Sequence, residues 1–248
     1  MKLDSLIFRS TNYISKLLRS FRDNTYSENP WQKKQNEFML ACLTKGGFKV
    51  RGVLHVGGHF GEEYPIYRRA GAEQIIFFEP MPEYFAELKR RLGSHKDVVL
   101  VNKALGSSRE IREMHINKGS GESTSFMKPT SLYDGYFQEK TVRFEIVTLD
   151  DFMSTRSDLA QFNLLVTDTQ GFDLEVLKGA KSTLEAVDYV YTEVSRGHYC
   201  GEPTIGEIDE FLAELGFRRA EISMYGNWKG GDEWGDVFYV KQSRGRYF

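Results

Sequence analysis

Three residues in this chain stand where a proton can be moved. Asp168 closes the apolar run "FNLLVTD", Glu193 lies in "VDYVYTEV", and His198 follows in a loop with Arg196 and Tyr199. Ligands of open α/β sheets bind outside the carboxyl ends of the strands, so acids ending two strands face a common space. A carboxylate or imidazole within hydrogen-bond reach of a hydroxyl can act as general base, and the order of expectation is Asp168, then Glu193, then His198. Thr169 and Gln170 form the turn with Gly171 and set an amide beside the first acid. Asp173 and Glu175 open the following helix, where acids complement the dipole and need no further role.

A second group lies earlier. "VLHVGGHFGEE", residues 53–63, is a buried-strand pattern that stops in a turn containing Gly57, Gly58 and Gly61. Glycines there let the chain turn sharply and let a ligand approach without a Cβ in the way. Glu79, followed by Pro80 in "FFEP", ends the next strand, where a carboxylate can accept hydrogen bonds from both hydroxyls of a ribose. Dinucleotide binding wants G-x-G-x-x-G, but this loop reads G-G-H-F-G. His59, Glu62 and Glu63 would receive a pyrophosphate poorly, since like charges repel at this range. A phosphate-free adenosyl ligand fits better. S-adenosylmethionine (SAM), with a zwitterionic end and a cationic sulfonium, suits the acids. Asn102 and Ala104, in "VNKALG", end the third strand and are placed to flank an adenine.

The elements that must position these residues follow from periodicity. "GVLHVG", "QIIFFEP" and "DVVLVNKAL" are strands fit for burial on both faces, separated by "EEYPIYRRAGA" and "PEYFAELKRRLG" as helices. Pro82 near the start and Gly93 at the end bound the second helix. "REIREMHIN" and "TVRFEIVTL" alternate as half-buried antiparallel strands around a long Gly-, Ser- and aromatic-rich connection, of the kind that forms a functional lid. Parallel topology resumes with "FNLLVTD", one helix "GFDLEVLKGAKSTLEA", "VDYVYTEV" and the helix "TIGEIDEFLAELG"; "FRRAEISMY" and "DVFYVKQ" close as an antiparallel pair. The expected fold is α/β, a doubly wound, Rossmann-like, mostly parallel sheet with antiparallel closing strands. Tyr133, Tyr136, Phe137 and Trp228 are candidate stacking faces for a sugar ring.

Residues 1–48 are expected to form a helical extension, a lid or oligomer contact, ahead of one domain over residues 49–248. Leu3, Leu6, Ile7, Ile14, Leu17, Leu18 and Phe21 recur at helical spacing with Lys16, Arg19 and Arg22 among them, an amphipathic helix with a basic face. Such a helix packs on its own domain or on a second subunit, as in a homodimer; a membrane surface or partner protein are its other targets.

With 40% apolar and 14% aromatic residues, the 248-residue chain can bury a substantial core. A formal charge of −2 offers no global footprint for a polyanion, and there is no Asn-Pro-Pro-aromatic motif for a flipped base, so no nucleic-acid partner is expected. No apolar run approaches the ~18 residues of a membrane span, and charges at Arg9 and Lys16 interrupt any signal-like segment. A cytoplasmic protein with Cys42 and Cys200 as reduced thiols is expected. Neither cysteine has metal-ligand spacing, and no cluster demands a metal.

The blocks "VLHVGGHFGEE", "FFEPMPEYFAELK", "VNKALG", "GSGESTSF", "VTLDDF", "LLVTDTQGFDLEVLKGA" and "YTEVSRGHYCGEPTIGEIDEFLAELGF" together resemble the FkbM-type SAM-dependent methyltransferase family. The resemblance covers about residues 51–220 and is most specific over Asp168–Ala180. It implies a class I methyltransferase fold and O-methylation of hydroxyls on sugars, glycans or natural products. It implies donor contacts from the loop at His55, Gly57, Gly58, His59, Gly61 and Glu62, from Glu79 and Pro80, from Asn102 and Ala104, and from Asp168, Thr169 and Gln170. His55 stands where many members carry an acid, and Glu62 is the acid that would take that role. Two other readings of the residues are a nicotinamide-dependent dehydrogenase, which would need pyrophosphate affinity, and a non-catalytic SAM-fold module that binds a partner through its basic N-terminal helix.

Overall fold

The apolar runs that end at the candidate acids form the centre of the molecule. A computed structural model describes residues 30–45, 47–118, 123–226 and 233–242, so the amphipathic segment 3–22 and Trp228 lie outside the described residues. The first half runs α1 (Pro30–Thr44), β1 (Gly52–Val56), α2 (Tyr64–Arg69), β2 (Gln74–Phe78), α3 (Pro82–Leu92), β3 (Val98–Val101), β4 (Ala104–Leu105) and β5 (Glu110–Met114). The second continues with β6 (Val142–Val147), α4 (Leu149–Ser154), β7 (Leu164–Thr167), α5 (Asp173–Lys178) and α6 (Lys181–Ala186). It ends with β8 (Tyr189–Arg196), α7 (Ile205–Glu214), β9 (Phe217–Gly226) and β10 (Glu233–Lys241).

Among the described residues, seven strands make one sheet in the order β3-β2-β1-β7-β8-β10-β9. The first five are parallel, and β10 runs antiparallel to both β8 and β9. Alternate residues of the central strands enter two separate cores. Leu54, Val56, Ile76, Phe78 and Leu165 pack with α4–α7 and the smaller sheet, whereas Val53, Ile75, Phe77, Leu164 and Val166 pack with α1 and α2. Met39, Cys42 and Leu43 bring α1 into the second core. Both cysteines are free thiols, Cys42 buried and Cys200 exposed.

Two helices show how local sequence sets boundaries. Pro82 sits in the first turn of α3, which ends at Gly93. At α7 the Thr204 hydroxyl accepts the Glu207 N–H (3.2 Å) while the Glu207 carboxylate accepts the Thr204 N–H (2.8 Å), a reciprocal cap.

Two expected elements are divided. The third strand breaks at Asn102–Lys103: Val98–Val101 stays in the large sheet, and Ala104–Leu105 pairs with β6 in a three-stranded sheet ordered β4-β6-β5. The expected single helix over 171–186 is two short ones. At the break the Gly179 carbonyl accepts the Asp150 N–H (3.0 Å), and the Asp150 carboxylate accepts the N–H groups of Ser182 and Thr183 (both 2.8 Å) at the start of α6; a Cβ at Gly179 would overlap the Gly106 carbonyl.

The sheet also draws the two candidate loops together. Asp168 N donates to Val56 O (3.0 Å), and Gly57 N and Gly58 N both donate to Phe78 O (3.0 and 2.9 Å). Gly57 has φ +90°, and a Cβ there would penetrate the Asp168 carbonyl oxygen. Gly57→Ala should therefore destabilise the protein by about 3 kcal/mol, combining left-handed strain with displacement of the neighbouring strand. Urea unfolding monitored by tryptophan fluorescence checks this, and a loss under about 1 kcal/mol would show that the two tips are not rigidly apposed.

Candidate active site

A cavity of about 610 Å³ opens above the strand ends, a size typical of small-molecule sites. Of the residues expected to contact a donor, His55, Gly57, His59, Glu62, Glu79, Pro80, Ala104, Asp168, Thr169 and Gln170 line it, as do Glu193 and His198. Gly58, Gly61 and Asn102 do not. A Cβ at Gly58 would press on the Phe77 ring, and one at Gly61 would meet Leu88 and Leu92 at 2.6–2.8 Å. These two glycines admit protein side chains rather than a ligand. Asn102 Nδ2 donates to the carbonyls of Glu79 (2.7 Å) and Pro80 (3.0 Å), so it fastens the backbone that presents Glu79.

Glu79 is buried at the end of β2. Its Oε2 accepts the His59 N–H (2.9 Å) and its Oε1 the Met81 N–H (2.7 Å), which aims the carboxylate from both sides. Each carboxylate oxygen has a further lone pair for a diol. Burial pushes Glu79 up to about 7, against the pull of those N–H groups. The ionised form is the stronger acceptor. Between about pH 6 and about pH 8, affinity for S-adenosylhomocysteine (SAH) should therefore rise, approaching tenfold per unit below neutrality because binding must first expel a proton. Calorimetry should find proton release in the acid part of that range, and the slope should shrink in Glu79→Gln, leaving only what Glu63 and Asp236 contribute in the same window.

His55 behaves as a wall residue. It lies mid-strand on β1, with Nδ1 2.9 Å from the Tyr67 hydroxyl, and burial lowers it to about 3, so the ring is neutral. Glu62 reaches back to the loop, its Oε1 3.1 Å from His59 Nδ1 and its Oε2 accepting the Phe60 N–H (3.2 Å). Burial pushes this carboxyl up, but the His59 and Arg91 charges and these hydrogen bonds outweigh it and hold Glu62 below its ordinary range. Glu63, next in the chain, is pushed up to about 8 by burial and by the Glu62 charge. One carboxylate is kept charged beside the loop while its neighbour is kept protonated.

The second half of the site is a row of acids. Val166 pairs with Tyr191 across β7–β8, so Asp168 and Glu193, two residues on, project from the same face. Gln170 joins them: its Nε2 donates to Asp168 Oδ1 (2.8 Å) and to Glu193 Oε2 (2.7 Å). The Tyr199 hydroxyl lies 3.0 Å from the Ser123 carbonyl and 3.3 Å from Gln170 Oε1. Gln170 holds a left-handed backbone, φ +56°, and its carbonyl accepts the Ser125 hydroxyl (2.6 Å). Glu193 is pushed well above the usual carboxylate range, first by burial and then by the Asp168 charge. Of the two, Glu193 is the member held toward its protonated form.

Asp236 extends this row, and sequence reasoning missed it. It pairs with Glu193 across β8–β10, is buried, accepts the Tyr225 hydroxyl (2.8 Å), and lines the cavity. Burial raises it to about 7. A signal existed: an antiparallel strand begins where its parallel neighbours end, so the first residues of "DVFYVKQ" must lie at the site. The long middle connection covers the cavity with Ser123, Thr124, Phe126, Tyr133 and Phe137. Tyr136 is 46% exposed and does not line it. Gln32, Gln35, Asn36 and Met39 of α1 line the cavity as well. Among the described residues, no cluster of three His, Cys, Asp or Glu residues has metal-binding geometry, and no helix is long and apolar enough to cross a membrane.

A sheet ordered β3-β2-β1-β7-β8-β10-β9 with the penultimate strand reversed is the class I methyltransferase fold, here with an acid ending β2 and a cavity over the strand tips. The fold is shared with magnesium protoporphyrin IX methyltransferase from Synechocystis PCC 6803, solved with bound SAM, at a TM-score of 0.50 and 12% identity over 95% of both chains. Residues 55–219 match the methyltransferase FkbM domain, and the chain belongs to that family. A 134-residue stretch is 28% identical to the 2-O-methyltransferase NoeI of Sinorhizobium fredii (strain NBRC 101917 / NGR234), covering 49% of this chain and 54% of that protein. The chain thus spans about half the length of the curated relative it matches.

Proposed function

We propose that the protein transfers the methyl group of SAM to a hydroxyl oxygen of a sugar, glycan or natural-product acceptor. The observation that carries this reading is the Asp168–Gln170–Glu193 constellation, which faces the same cavity as Glu79. The likeness to a 2-O-methyltransferase favours oxygen as the atom that is methylated. Glu79 would hold the ribose, Ala104 and Pro80 would flank the adenine, and the Gly57–Glu62 loop would meet the amino-acid end. SAM supplies an activated methyl on a positively charged sulfur, so the chain's task is alignment and proton removal. Asp168 would accept the hydroxyl proton as the new C–O bond forms and the C–S bond breaks. Gln170 would keep its carboxylate turned toward the acceptor. Glu193, held protonated, would donate a hydrogen bond rather than take a proton.

Incubation with methyl-labelled SAM and a panel of hydroxylated acceptors tests this, with SAM and NAD titrated in parallel by calorimetry. Label in an ether-linked product and binding of SAM alone is the expected result. Binding of NAD in place of SAM, or label found only on nitrogen, overturns the reading.

A further inference from the structure

Ser125 lies one step behind the cavity wall. It is buried, only 1% exposed, on the segment that covers the cavity, and its neighbours Thr124 and Phe126 face that space whereas Ser125 does not. Its hydroxyl instead donates to the Gln170 carbonyl (2.6 Å) and accepts the Met127 N–H (2.9 Å). Ser125 is thus out of reach of a molecule in the cavity. The carbonyl it holds, however, belongs to the residue whose amide bridges Asp168 and Glu193.

The support for Ser125 comes from outside that turn. Its backbone pairs with His115 just beyond β5, Ser125 N–H to His115 carbonyl (3.1 Å) and His115 N–H to Ser125 carbonyl (2.7 Å). The Asn117 N–H donates to the Thr124 hydroxyl (3.2 Å), and β5 itself pairs with β6 along its whole length. Gln170 is the partner that needs holding, because a residue other than glycine at φ +56° persists only where its surroundings impose that conformation. Without the Ser125 hydroxyl the Gln170 carbonyl would lose its donor. Rotation of the backbone toward the right-handed region would then relieve the strain and carry the bridging amide off the two carboxyls.

We infer that Ser125 is a positioning residue for methyl transfer: through its hydroxyl the three-stranded sheet holds Gln170 in the conformation that aligns the Asp168 carboxylate. This rests on the reading of Asp168 as the base. The small sheet then serves the reaction itself, by fixing the turn that carries the base, and not only as a cover over the cavity.

The test compares Ser125→Ala, Ser125→Thr, Gln170→Ala and the Ser125→Ala/Gln170→Ala double variant of the full chain, using methyl-labelled SAM and methyl glycosides of common hexoses. Ser125→Ala should lower kcat about 10- to 100-fold, the scale of an ångström-level misplacement, with SAM Kd and acceptor KM within about threefold of the parent protein. Ser125→Thr keeps the hydroxyl and should recover most of the loss. If Ser125 acts through Gln170, the double variant should be no slower than Gln170→Ala alone, whereas general damage to the fold would multiply the two losses. A kcat within about threefold of the parent in Ser125→Ala overturns the proposal. So do multiplied losses, or a fall in SAM affinity that matches the fall in rate. Crystal structures of the SAH complexes need no acceptor: Gln170 should leave the left-handed region in Ser125→Ala and stay there in Ser125→Thr. Should the parent chain form no ether, the hydroxyl-methylation reading falls by itself, and an unmoved Gln170 in the Ser125→Ala crystals is the separate result that removes the role given to Ser125.

Discussion

Asp168→Asn should lower kcat by a factor of about 10² to 10⁴, the range contributed by a positioned general base, while raising the SAM Kd by no more than about tenfold. Size and shape are retained in this variant and only the charge is lost. The size of the expected effect follows from how the pair shares charge. Burial and the Asp168 charge both push Glu193 toward its protonated form, so of the two Glu193 is the poorer proton acceptor and the proposed base is Asp168. Gln170 donates to both carboxyls at 2.8 and 2.7 Å, and in the variant it would face a neutral amide. Glu193→Gln, which removes a group already neutral, should cost much less, about tenfold. Steady-state rates at saturating acceptor separate the two variants. If Glu193→Gln abolishes turnover while Asp168→Asn retains more than about a tenth of it, the roles are reversed.

Glu79→Gln should weaken SAM binding by about 30- to 150-fold, the equivalent of one to two charge-assisted hydrogen bonds at roughly 2–3 kcal/mol. Two losses add. The diol loses an anionic acceptor, and the new –NH₂ is turned either toward a backbone N–H of the loop or toward the ligand. The His59 and Met81 N–H groups, at 2.9 and 2.7 Å, each require an acceptor there, and a carboxamide offers one oxygen where the carboxylate offered two. Calorimetric titration with SAM and SAH measures the effect, with thermal melting as a check that the loop survives. A Kd within about threefold of the parent protein, with unchanged melting, would place the ribose elsewhere.

Much of the scaffold was legible because its signals are local. The runs "VLHV", "IIFF" and "LLVT" are apolar at nearly every position, as buried parallel strands require, and each is a central strand of the sheet. Pro82 marks the start of α3 through a backbone restriction that operates whatever surrounds it. What failed to show were features made by approach between distant segments. The helix after Asp168 is interrupted at Gly179, where Asp150 of a distant segment bonds the Gly179 carbonyl and the N–H groups of Ser182 and Thr183, and nothing within that helix announces the contact. Gly58 and Gly61 carry the same local signature as Gly57, yet their space is filled by Phe77, Leu88 and Leu92. Glycine content alone does not say which atoms come close.

The amino-acid sequence by itself determined the α/β class, the parallel strands and the acids that end them, since strand periodicity and the strand-end rule act within a few residues. Only the tertiary structure decided that Asp236 aligns with Glu193, that Gln170 bridges Asp168 to Glu193, and that α1 and the middle connection close one cavity over them. The reason lies in sheet order. Strand β10 inserts between β8 and β9, and pairing between strands separated by tens of residues sets which carboxyls become neighbours and push one another toward the protonated form.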